Sequence, residues 1–323
     1  MSEKEEKPKM TSGFWFDEEV MEDALVIRMK LNSISTDVES EFQRVQIIET
    51  KPFGKTLVLD GKTQSALGDE FVYHESLVHA AMLWHDDPKR VYIGGGGELA
   101  TAREVLRHAS VQEVVMVDLD GLVVDVCKEK LPEWNANSTD DPRLTVHIGD
   151  ARTFLLDKKS GFFDVIILDI SDPIEAGPAV HLYTQDFYKL VAKKLNPNGV
   201  VVTQSGPAGL FNSKECFTAI NHTLRSAFNH VAPFSASIPS FGSDWGFNLA
   251  YNETSPDKSN LHLTHPAYID TIDQAIASRI QKSSLRHYDA QTHACQFNLT
   301  KSIRNHLQAE DRVITEENPV FMY

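Results

Sequence analysis

Two aspartates follow a short apolar run in the middle of the chain. Asp169 ends the run 165–168, Val-Ile-Ile-Leu, and Asp172 follows three residues later, just before Pro173. Four apolar residues bounded by an acid and a turn predict a short buried strand. In an open parallel sheet, ligands bind beyond the carboxyl ends of the strands. Both carboxylates are therefore candidates for chemistry, although Asp and Pro also suit an ordinary turn.

A second group of residues forms a glycine-rich loop. The predicted strand Val91–Ile93 runs into four glycines, 94–97, and then Glu98. The pattern is neither G-x-G-x-x-G nor a phosphate-binding loop with Lys-Ser/Thr. An acid at this position repels a pyrophosphate and favours a positively charged ligand. We therefore expect a sulfonium or amine nucleoside here rather than a dinucleotide, the alternative being a plain tight turn.

Further acids stand at the ends of the next two predicted strands. Asp118 lies about 20 residues past the loop, a spacing that suits hydrogen bonds from ribose hydroxyls. Asp120 is two residues further on and is expected to face elsewhere. Asp150 and Ala151 follow the strand Leu144–Ile148, where they would contact a base edge. Taken alone, Asp150 suits a turn equally well.

The elements that carry these residues alternate between strands and helices. Strands at 91–93, 114–117, 144–148, 165–168 and 200–203 are separated by helical patterns at 100–107, 122–130 and 184–195. This alternation predicts an α/β fold with a mostly parallel, doubly wound sheet. Period-2 patterns over residues 20–66, with Asp60-Gly61 as a hairpin turn, predict a small antiparallel sheet in front of it. Residues 1–12 are predicted to be a disordered tail, and the elements beyond about residue 255 are left unassigned.

Composition limits the partners and the compartment. The net charge is -15, from 46 acids and 31 bases, which disfavours nucleic acid and suits a cationic partner. Three widely spaced cysteines indicate a reducing compartment. We find no signal peptide and no membrane-spanning stretch, so the expectation is a cytoplasmic protein without a membrane partner.

The pair His74 and His79 resembles a zinc-protease helix but is one residue too widely spaced. At ~100° per residue, two histidines five positions apart point in directions roughly 140° apart. They are not expected to share a metal, and the other histidines show no ligand spacing. We predict no metal site.

The strand-end acids together predict an acidic nucleoside pocket. S-adenosylmethionine carries a carboxylate that Glu98, Asp169 and Asp172 would repel. The decarboxylated form lacks that carboxylate and is the more cationic. The pocket therefore favours decarboxylated S-adenosylmethionine, and we expect no other cofactor.

Several motifs in this order resemble the polyamine aminopropyltransferase family, and within it most closely the thermospermine synthases. The resemblance runs from about residue 13 to the C-terminus. Its motifs are Leu59-Asp60-Gly61, the segment 69–75, Gly95-Gly96-Gly97-Glu98 with the segment 101–104, the segment 169–173, Val202-Thr203-Gln204 and the segment 238–241.

The resemblance implies an N-terminal β domain at residues 13–70. A methyltransferase-like Rossmann domain would follow at 71–323, with a C-terminal helical extension. It implies transfer of an aminopropyl group from decarboxylated S-adenosylmethionine to an amine, with release of 5′-methylthioadenosine. The implied partners are a polyamine and a nucleoside sulfonium, and the implied assembly is a homodimer or homotetramer.

The resemblance also implies a role for each matched residue. Asp169 would be the general base and Asp172 an amine-binding carboxylate, with Tyr73 at the reacting amine. Trp15, Gln204 and Phe241 would line the amine site. The residues expected at the donor are Gln43, Gln64, His74, Gly95, Gly96, Gly97, Glu98, Asp118, Asp150 and Ala151.

Three positions depart from the common family pattern. Leu99 stands where the loop usually has another glycine, His74 where many spermidine synthases have glutamine, and Phe241 where they have tyrosine. The last two resemble the thermospermine group and favour spermidine over putrescine as acceptor. Spermidine or spermine synthase remains the alternative, followed by a small-molecule methyltransferase and a non-catalytic polyamine-binding relative.

Overall fold

The structure is a computed structural model of the 323-residue chain. It describes residues 13–21, 23–175, 177, 179–253, 258, 260–280 and 285–322. The predicted disordered tail, residues 1–12, lies outside the described residues. The strands fall into two sheets, of five and seven strands.

The first sheet is antiparallel and contains β1 to β5 in sequence order. The strands are β1 (Trp15–Met21), β2 (Leu25–Glu39), β3 (Arg44–Thr50), β4 (Gly54–Leu59) and β5 (Lys62–Ala66). Asp60 and Gly61 connect β4 to β5 with φ values of 48° and 80°, as a tight hairpin turn requires. The predicted hairpin and small sheet are confirmed, but the sheet begins at Trp15 rather than near residue 20.

The second sheet is mostly parallel, which confirms the predicted fold class. Its order is β11-β12-β10-β9-β6-β7-β8, with β11 and β12 antiparallel at one edge. The strands are β6 (Arg90–Gly95), β7 (Glu113–Asp118), β8 (Leu144–Ile148), β9 (Phe163–Asp169), β10 (Leu195–Pro207), β11 (His230–Ile238) and β12 (Ser243–Tyr251).

Helices cover both faces of this second sheet. They are α1 (Glu70–Trp84), α2 (Ala100–Leu106), α3 (Gly121–Lys130), α4 (Pro132–Asn135), α5 (Ala151–Asp157), α6 (Gln185–Lys194), α7 (Phe217–Arg225), α8 (Pro266–Arg279), α9 (Ala290–Phe297) and α10 (Lys301–Ala309). Val165 and Ile167 of β9 pack in the core that contains α1, and Ile166 and Leu168 pack in the core that contains α6. Because both faces are buried, the strand is apolar throughout instead of alternating.

The C-terminal region is fixed to α1 by a buried carboxylate. Glu75 accepts hydrogen bonds from the backbone N–H groups of Arg286, His287 and Tyr288 at 2.8–2.9 Å. These bonds dock the segment before α9 against the helix that also carries Tyr73 and His74. Among the described residues, no helix combines the length and apolar character needed to cross a bilayer.

Candidate active site

A cavity of about 1090 Å³ opens at the carboxyl ends of the parallel strands, between the two sheets. A smaller cavity of about 450 Å³ adjoins it. Both are lined by Thr63, Gln64, Asp172, Phe241 and Trp245. We call the larger one the main cavity and the smaller one the side cavity. This position is where ligands bind in open α/β sheets.

Asp169 stands at the end of β9 with both carboxylate oxygens engaged. The Tyr73 hydroxyl donates a hydrogen bond to Oδ1 at 2.6 Å, and the Thr101 hydroxyl donates to Oδ2 at 2.5 Å. Burial and the nearby charge of Glu98 raise the pKa of Asp169 to about 6, although His74 and the two hydrogen bonds oppose this rise. The Asp169 carboxylate therefore binds a proton more readily than an ordinary aspartate does.

The glycine loop packs directly on the backbone of Asp169. Gly95 has a φ of +79°, and a Cβ atom there would lie 2.1 Å from the Asp169 carbonyl oxygen. The N–H of Gly96 donates to the same oxygen at 2.8 Å. Only glycine permits this approach, which holds the loop and its Glu98 close to Asp169.

Leu99 also adopts the left-handed conformation, with a φ of 71° just before α2. An L-residue other than glycine costs about 1–2 kcal/mol in this region. The side chain of Leu99 is fully buried in the core around α1, and its burial offsets this strain. The loop therefore follows a glycine-like path even though residue 99 is leucine.

A hydrogen-bonded chain of charged groups connects Glu98 to the protein interior. His74 Nε2 lies 3.0 Å from Glu98 Oε1, and His74 Nδ1 lies 2.9 Å from Glu70 Oε2. Arg103 donates to both oxygens of Glu70, at 3.3 and 2.9 Å. Burial lowers the pKa of His74, but hydrogen bonds and charge from Glu70 and Glu98 outweigh it and raise that pKa to about 10.

His74 itself does not line either cavity, contrary to its expected place among the donor-binding residues. The side chain is fully buried, because its position on α1 directs the ring behind Glu98. His79 points elsewhere and contacts Glu104 and His108, both at 3.0 Å. The two histidines thus face different partners, as their spacing predicts.

Asp118 and Asp120 both line the main cavity, contrary to the expectation that Asp120 faces elsewhere. Burial raises the pKa of Asp118 to about 6. Asp120 begins α3, where its carboxylate accepts hydrogen bonds from the N–H groups of Leu122 and Val123. Its other oxygen accepts from Gln43 Nε2 at 3.0 Å and from Ser40 at 2.6 Å. The carboxylate that caps α3 thereby connects the segment between β2 and β3 to the second sheet.

Asp150 and Ala151 complete the main cavity at the end of β8. Asp150 is the N-cap of α5, and its Oδ1 accepts from the Thr153 N–H at 2.6 Å. Asp150 thus caps a helix, as a turn residue does, and also lines the main cavity. Gln64 also lines the cavity, and its Nε2 donates to the Lys62 carbonyl oxygen at 3.2 Å.

Asp172 is oriented by Gln204. Gln204 Nε2 donates to Asp172 Oδ1 at 3.1 Å and to the Tyr183 hydroxyl at 2.6 Å. Trp245 Nε1 donates to Gln204 Oε1 at 3.2 Å. Burial raises the pKa of Asp172 to about 7, although the Gln204 hydrogen bond opposes this. A cationic ligand at Asp172 would favour its ionised form.

Aromatic rings close the cavity next to Asp172. The Phe241 ring lies 4.7 Å from that of Trp245 and 6.0 Å from that of Tyr73. Trp15, expected here, lies on β1 outside both cavities. Side chains alternate along a strand, so Trp15 and the buried Glu18 point to opposite faces. Glu18 lines the side cavity instead.

Trp245 lines both cavities and was not predicted from sequence, and Asp120 lines the main cavity against expectation. Two further residues were not predicted: Thr101, which donates to Asp169, and Tyr183, which accepts from Gln204. Thr101 is the first-turn hydroxyl of a helix that follows a glycine loop, a local signal that points to the loop's ligands. Trp245 lies on β12 in an edge pair of strands that the sequence pattern left unassigned. Its place beside Gln204 follows only from the pairing of β12 with β10.

Comparison with known sequences shows that the chain belongs to the spermine/spermidine synthase family of polyamine aminopropyltransferases. Residues 70–260 match the spermine/spermidine synthase domain, and residues 14–66 match the spermidine synthase tetramerisation domain. The predicted family is thereby confirmed.

Two relatives and two crystal structures illustrate the match. Thermospermine synthase ACAULIS5 of Arabidopsis thaliana is 40% identical over 96% of this chain and 87% of its own length. A polyamine aminopropyltransferase of Aeropyrum pernix is 39% identical over 98% of both chains. Spermidine synthase from Thermotoga maritima superposes with a TM-score of 0.81 at 27% identity, covering 95% of this chain and 98% of that one. A spermidine synthase in complex with the transition state analogue AdoDATO gives 0.82 at 27% identity, covering 95% and 99%.

Proposed function

We propose that this protein transfers an aminopropyl group from decarboxylated S-adenosylmethionine to spermidine, giving thermospermine and 5′-methylthioadenosine. The observation that carries the proposal is the pairing of Asp169 and Glu98 in one acidic cavity at the strand ends. Family membership and the relative named as a thermospermine synthase support it.

In this reaction the lone pair of a spermidine primary amine attacks the methylene carbon next to the sulfonium. A C–N bond forms and the C–S bond breaks, with its electron pair passing to sulfur to give a neutral thioether. The nitrogen gives up a proton, for which Asp169 is the acceptor within the cavity. Tyr73, whose pKa burial raises well above its usual range, stays protonated and orients the Asp169 carboxylate.

The other cavity residues divide between the two substrates. We assign the nucleoside donor to Gln43, Gln64, the glycines 95–97, Glu98, Asp118, Asp150 and Ala151. Asp118 is placed to accept hydrogen bonds from ribose hydroxyls, and Glu98 attracts the aminopropyl ammonium. Asp172, Tyr73, Gln204 and Phe241 are assigned to the acceptor, with Gln204 acting mainly by orienting Asp172.

The side cavity favours a long acceptor over a short one. It extends the acceptor region from Asp172 to Glu18 and Glu19, beyond Thr63 and Gln64. A triamine can reach carboxylates in both regions, whereas a diamine held at Asp172 leaves the far region unused. Lys62 also lines the side cavity and favours a position for the second ammonium nearer to Glu18.

We also propose that residues 14–66 mediate a homotetramer. This stretch matches a tetramerisation domain, and its apolar side chains Phe14, Leu25, Val26 and Ile34 are about half exposed or more. Light scattering coupled to gel filtration measures the assembly directly. A monomeric mass at micromolar concentration would contradict it.

The activity is tested by incubating the protein with decarboxylated S-adenosylmethionine and either spermidine or putrescine. Mass spectrometry identifies the transferred group, and chromatography separates thermospermine from spermine. We expect an aminopropyl increment, equimolar 5′-methylthioadenosine and thermospermine as the tetraamine. Spermine as the product would support the alternative within the family, and a methyl increment would overturn the reaction class.

A further inference from the structure

Residues 310–322 follow α10 and form neither helix nor strand, and we call this segment the strap. Its anchor is Ile314, which is fully buried in the core that contains α6. The Ile314 N–H donates to the Thr223 hydroxyl at 2.9 Å, and the Ile314 carbonyl oxygen accepts from the Gln185 N–H at 2.8 Å. Because Gln185 begins α6 and Thr223 lies on α7, these bonds attach the strap to both helices.

The end of the strap lies on the segment that follows β9. The Met322 N–H donates to the Pro173 carbonyl oxygen at 2.8 Å, directly after Asp172. The side chains of Met322 and Val320 pack against the core that also contains Ile170. The strap therefore supports the turn that carries Asp172, although the two segments are far apart in the sequence.

The Met322 side chain also reaches the acceptor region. It lines the side cavity together with Glu18, Lys62 and Asp172. A Cβ atom at Gly206 would lie 3.6 Å from Asp172 Oδ1 and 3.7 Å from the Met322 sulfur. The thioether and the carboxylate thus flank the same glycine, which has no side chain to separate them. An apolar group consequently lies beside the route from Asp172 into the side cavity.

We propose that Met322 is a determinant of acceptor choice, whose thioether contacts the methylene chain of a triamine bound between Asp172 and Glu18. This inference rests on the proposed function. A triamine with one ammonium at Asp172 and another near Glu18 must place methylene groups between them, beside Met322. A diamine held at Asp172 does not extend that far. The contact therefore adds affinity for spermidine and not for putrescine.

Methionine is chemically suited to this contact. Its side chain is unbranched and polarisable, so it adapts to an irregular apolar partner. Carboxylates bind the ammonium groups of a polyamine, but the methylenes between those groups gain free energy only when an apolar surface removes them from water. Phe241 and Trp245 supply such a surface from the aromatic side of the side cavity, and Met322 supplies it beside Gly206.

Met322→Ala tests the contact, with calorimetric titration of spermidine and putrescine into the protein saturated with 5′-methylthioadenosine. We expect the Kd of spermidine to rise about fivefold and that of putrescine to change by less than about twofold. Val320→Ala is the matched control, because it also removes apolar atoms from the strap but lines neither cavity. Both amines should bind this control as they bind the wild type. Met322→Leu keeps an apolar side chain of similar size and should retain most of the spermidine affinity.

Two results would overturn the inference. One is an unchanged Kd for spermidine in Met322→Ala. The other is an equal rise for both amines, which would indicate that the strap has only a structural role. Circular dichroism checks the fold of each variant. If Met322→Ala does not fold, Met322→Gln replaces it, because glutamine keeps the length of the side chain but puts an amide in place of the thioether, and the same selective loss is expected.

These titrations need no turnover, so they are independent of the proposed reaction. A wild type that binds spermidine but transfers no aminopropyl group would contradict the proposed function, and the contact at Met322 would still be decided by the Kd values. A wild type that makes a tetraamine, with a spermidine Kd that Met322→Ala leaves unchanged, would contradict only the inference about Met322.

Discussion

The Tyr73 hydroxyl donates a 2.6 Å hydrogen bond to Oδ1 of Asp169, joining the first turns of α1 to the end of β9. The Thr101 hydroxyl donates a hydrogen bond to the other oxygen of the same carboxylate. Asp169 is thus held in one orientation by donors from two helices that flank the main cavity. A carboxylate fixed in this way needs little reorganisation when it accepts a proton.

Tyr73→Phe removes one of these donors and leaves the ring in place. Because the Tyr73 hydrogen bond lowers the pKa of Asp169, its loss should raise that pKa. We expect kcat to fall about tenfold at pH 7 and its acidic limb to move to higher pH. Steady-state kinetics between pH 5.5 and 9.5 measure both effects. Unchanged kcat and limb would show that the hydroxyl does not tune Asp169.

Asp172→Asn should stabilise the free protein while impairing acceptor binding. The folded-state pKa of Asp172 is about 7, above its ordinary value of 3.8. A raised pKa means that folding favours the protonated carboxyl, so stability falls as the pH rises from about 4 to about 7. The variant should therefore exceed the wild type by ~2–4 kcal/mol at pH 8 and by little at pH 4. Urea unfolding at both pH values, with KM for spermidine alongside, checks this. A stability difference independent of pH would contradict it.

Glu98→Gln should weaken the choice between the two forms of the donor. The variant removes the charge that repels the carboxylate of S-adenosylmethionine and attracts the aminopropyl ammonium. We expect the affinity ratio of the decarboxylated form to the ordinary form to fall about tenfold. Calorimetric titration with both nucleosides measures the ratio. Glu113→Gln is the control, because Glu113 begins β7 and lines neither cavity. This variant should leave the affinity ratio unaltered.

Phe241→Tyr should shift acceptor preference towards putrescine. Phe241 lines both cavities and packs on Trp245, so a hydroxyl there would face the acceptor amine. An added hydrogen bond is worth about 1 kcal/mol, and we expect the ratio of kcat/KM for putrescine to that for spermidine to rise about fivefold. Competition between both amines in one reaction gives this ratio directly. A ratio equal to that of the wild type would show that residue 241 does not contribute to the choice of acceptor.

The central fold and many of the residues that line the main cavity could be predicted because their signals are local. An apolar run that ends on an acid, such as that before Asp169, identifies both the strand and its functional end. The glycine run before Glu98 likewise fixes a loop and its position. Each of these patterns lies within about ten residues, and the structure brings them together because parallel strands share one carboxyl edge.

The remaining features depend on contacts between distant parts of the chain. His74 lies behind the cavity between Glu70 and Glu98. The i,i+4 spacing suggests the Glu70 contact, but no spacing reveals the contact with Glu98, which is 24 residues away. Asp120 turns inward because Gln43, from the first sheet, reaches its carboxylate. The C-terminal segment docks because its backbone N–H groups donate hydrogen bonds to the Glu75 carboxylate. Every residue except proline has such an N–H group, so the sequence pattern does not predict this contact.

Asp169→Asn provides the most direct test of the account. The substitution keeps the size and shape of the side chain but removes the charge and the proton acceptor. It also leaves one acceptor oxygen where Asp169 has two, so only one of the hydrogen bonds from Tyr73 and Thr101 can be kept unchanged. Asp164→Asn is the matched control. It alters the other acid of β9, which binds the backbone of Lys89 and Arg90 away from the cavities, and should affect stability alone.

The decisive quantity is the single-turnover rate of 5′-methylthioadenosine release, with donor affinity measured on the same samples. We predict that Asp169→Asn loses a factor of about 10²–10⁴ in rate with donor affinity retained, while folded Asp164→Asn turns over as the wild type does. Wild-type turnover in Asp169→Asn would contradict the assignment of Asp169 as the base.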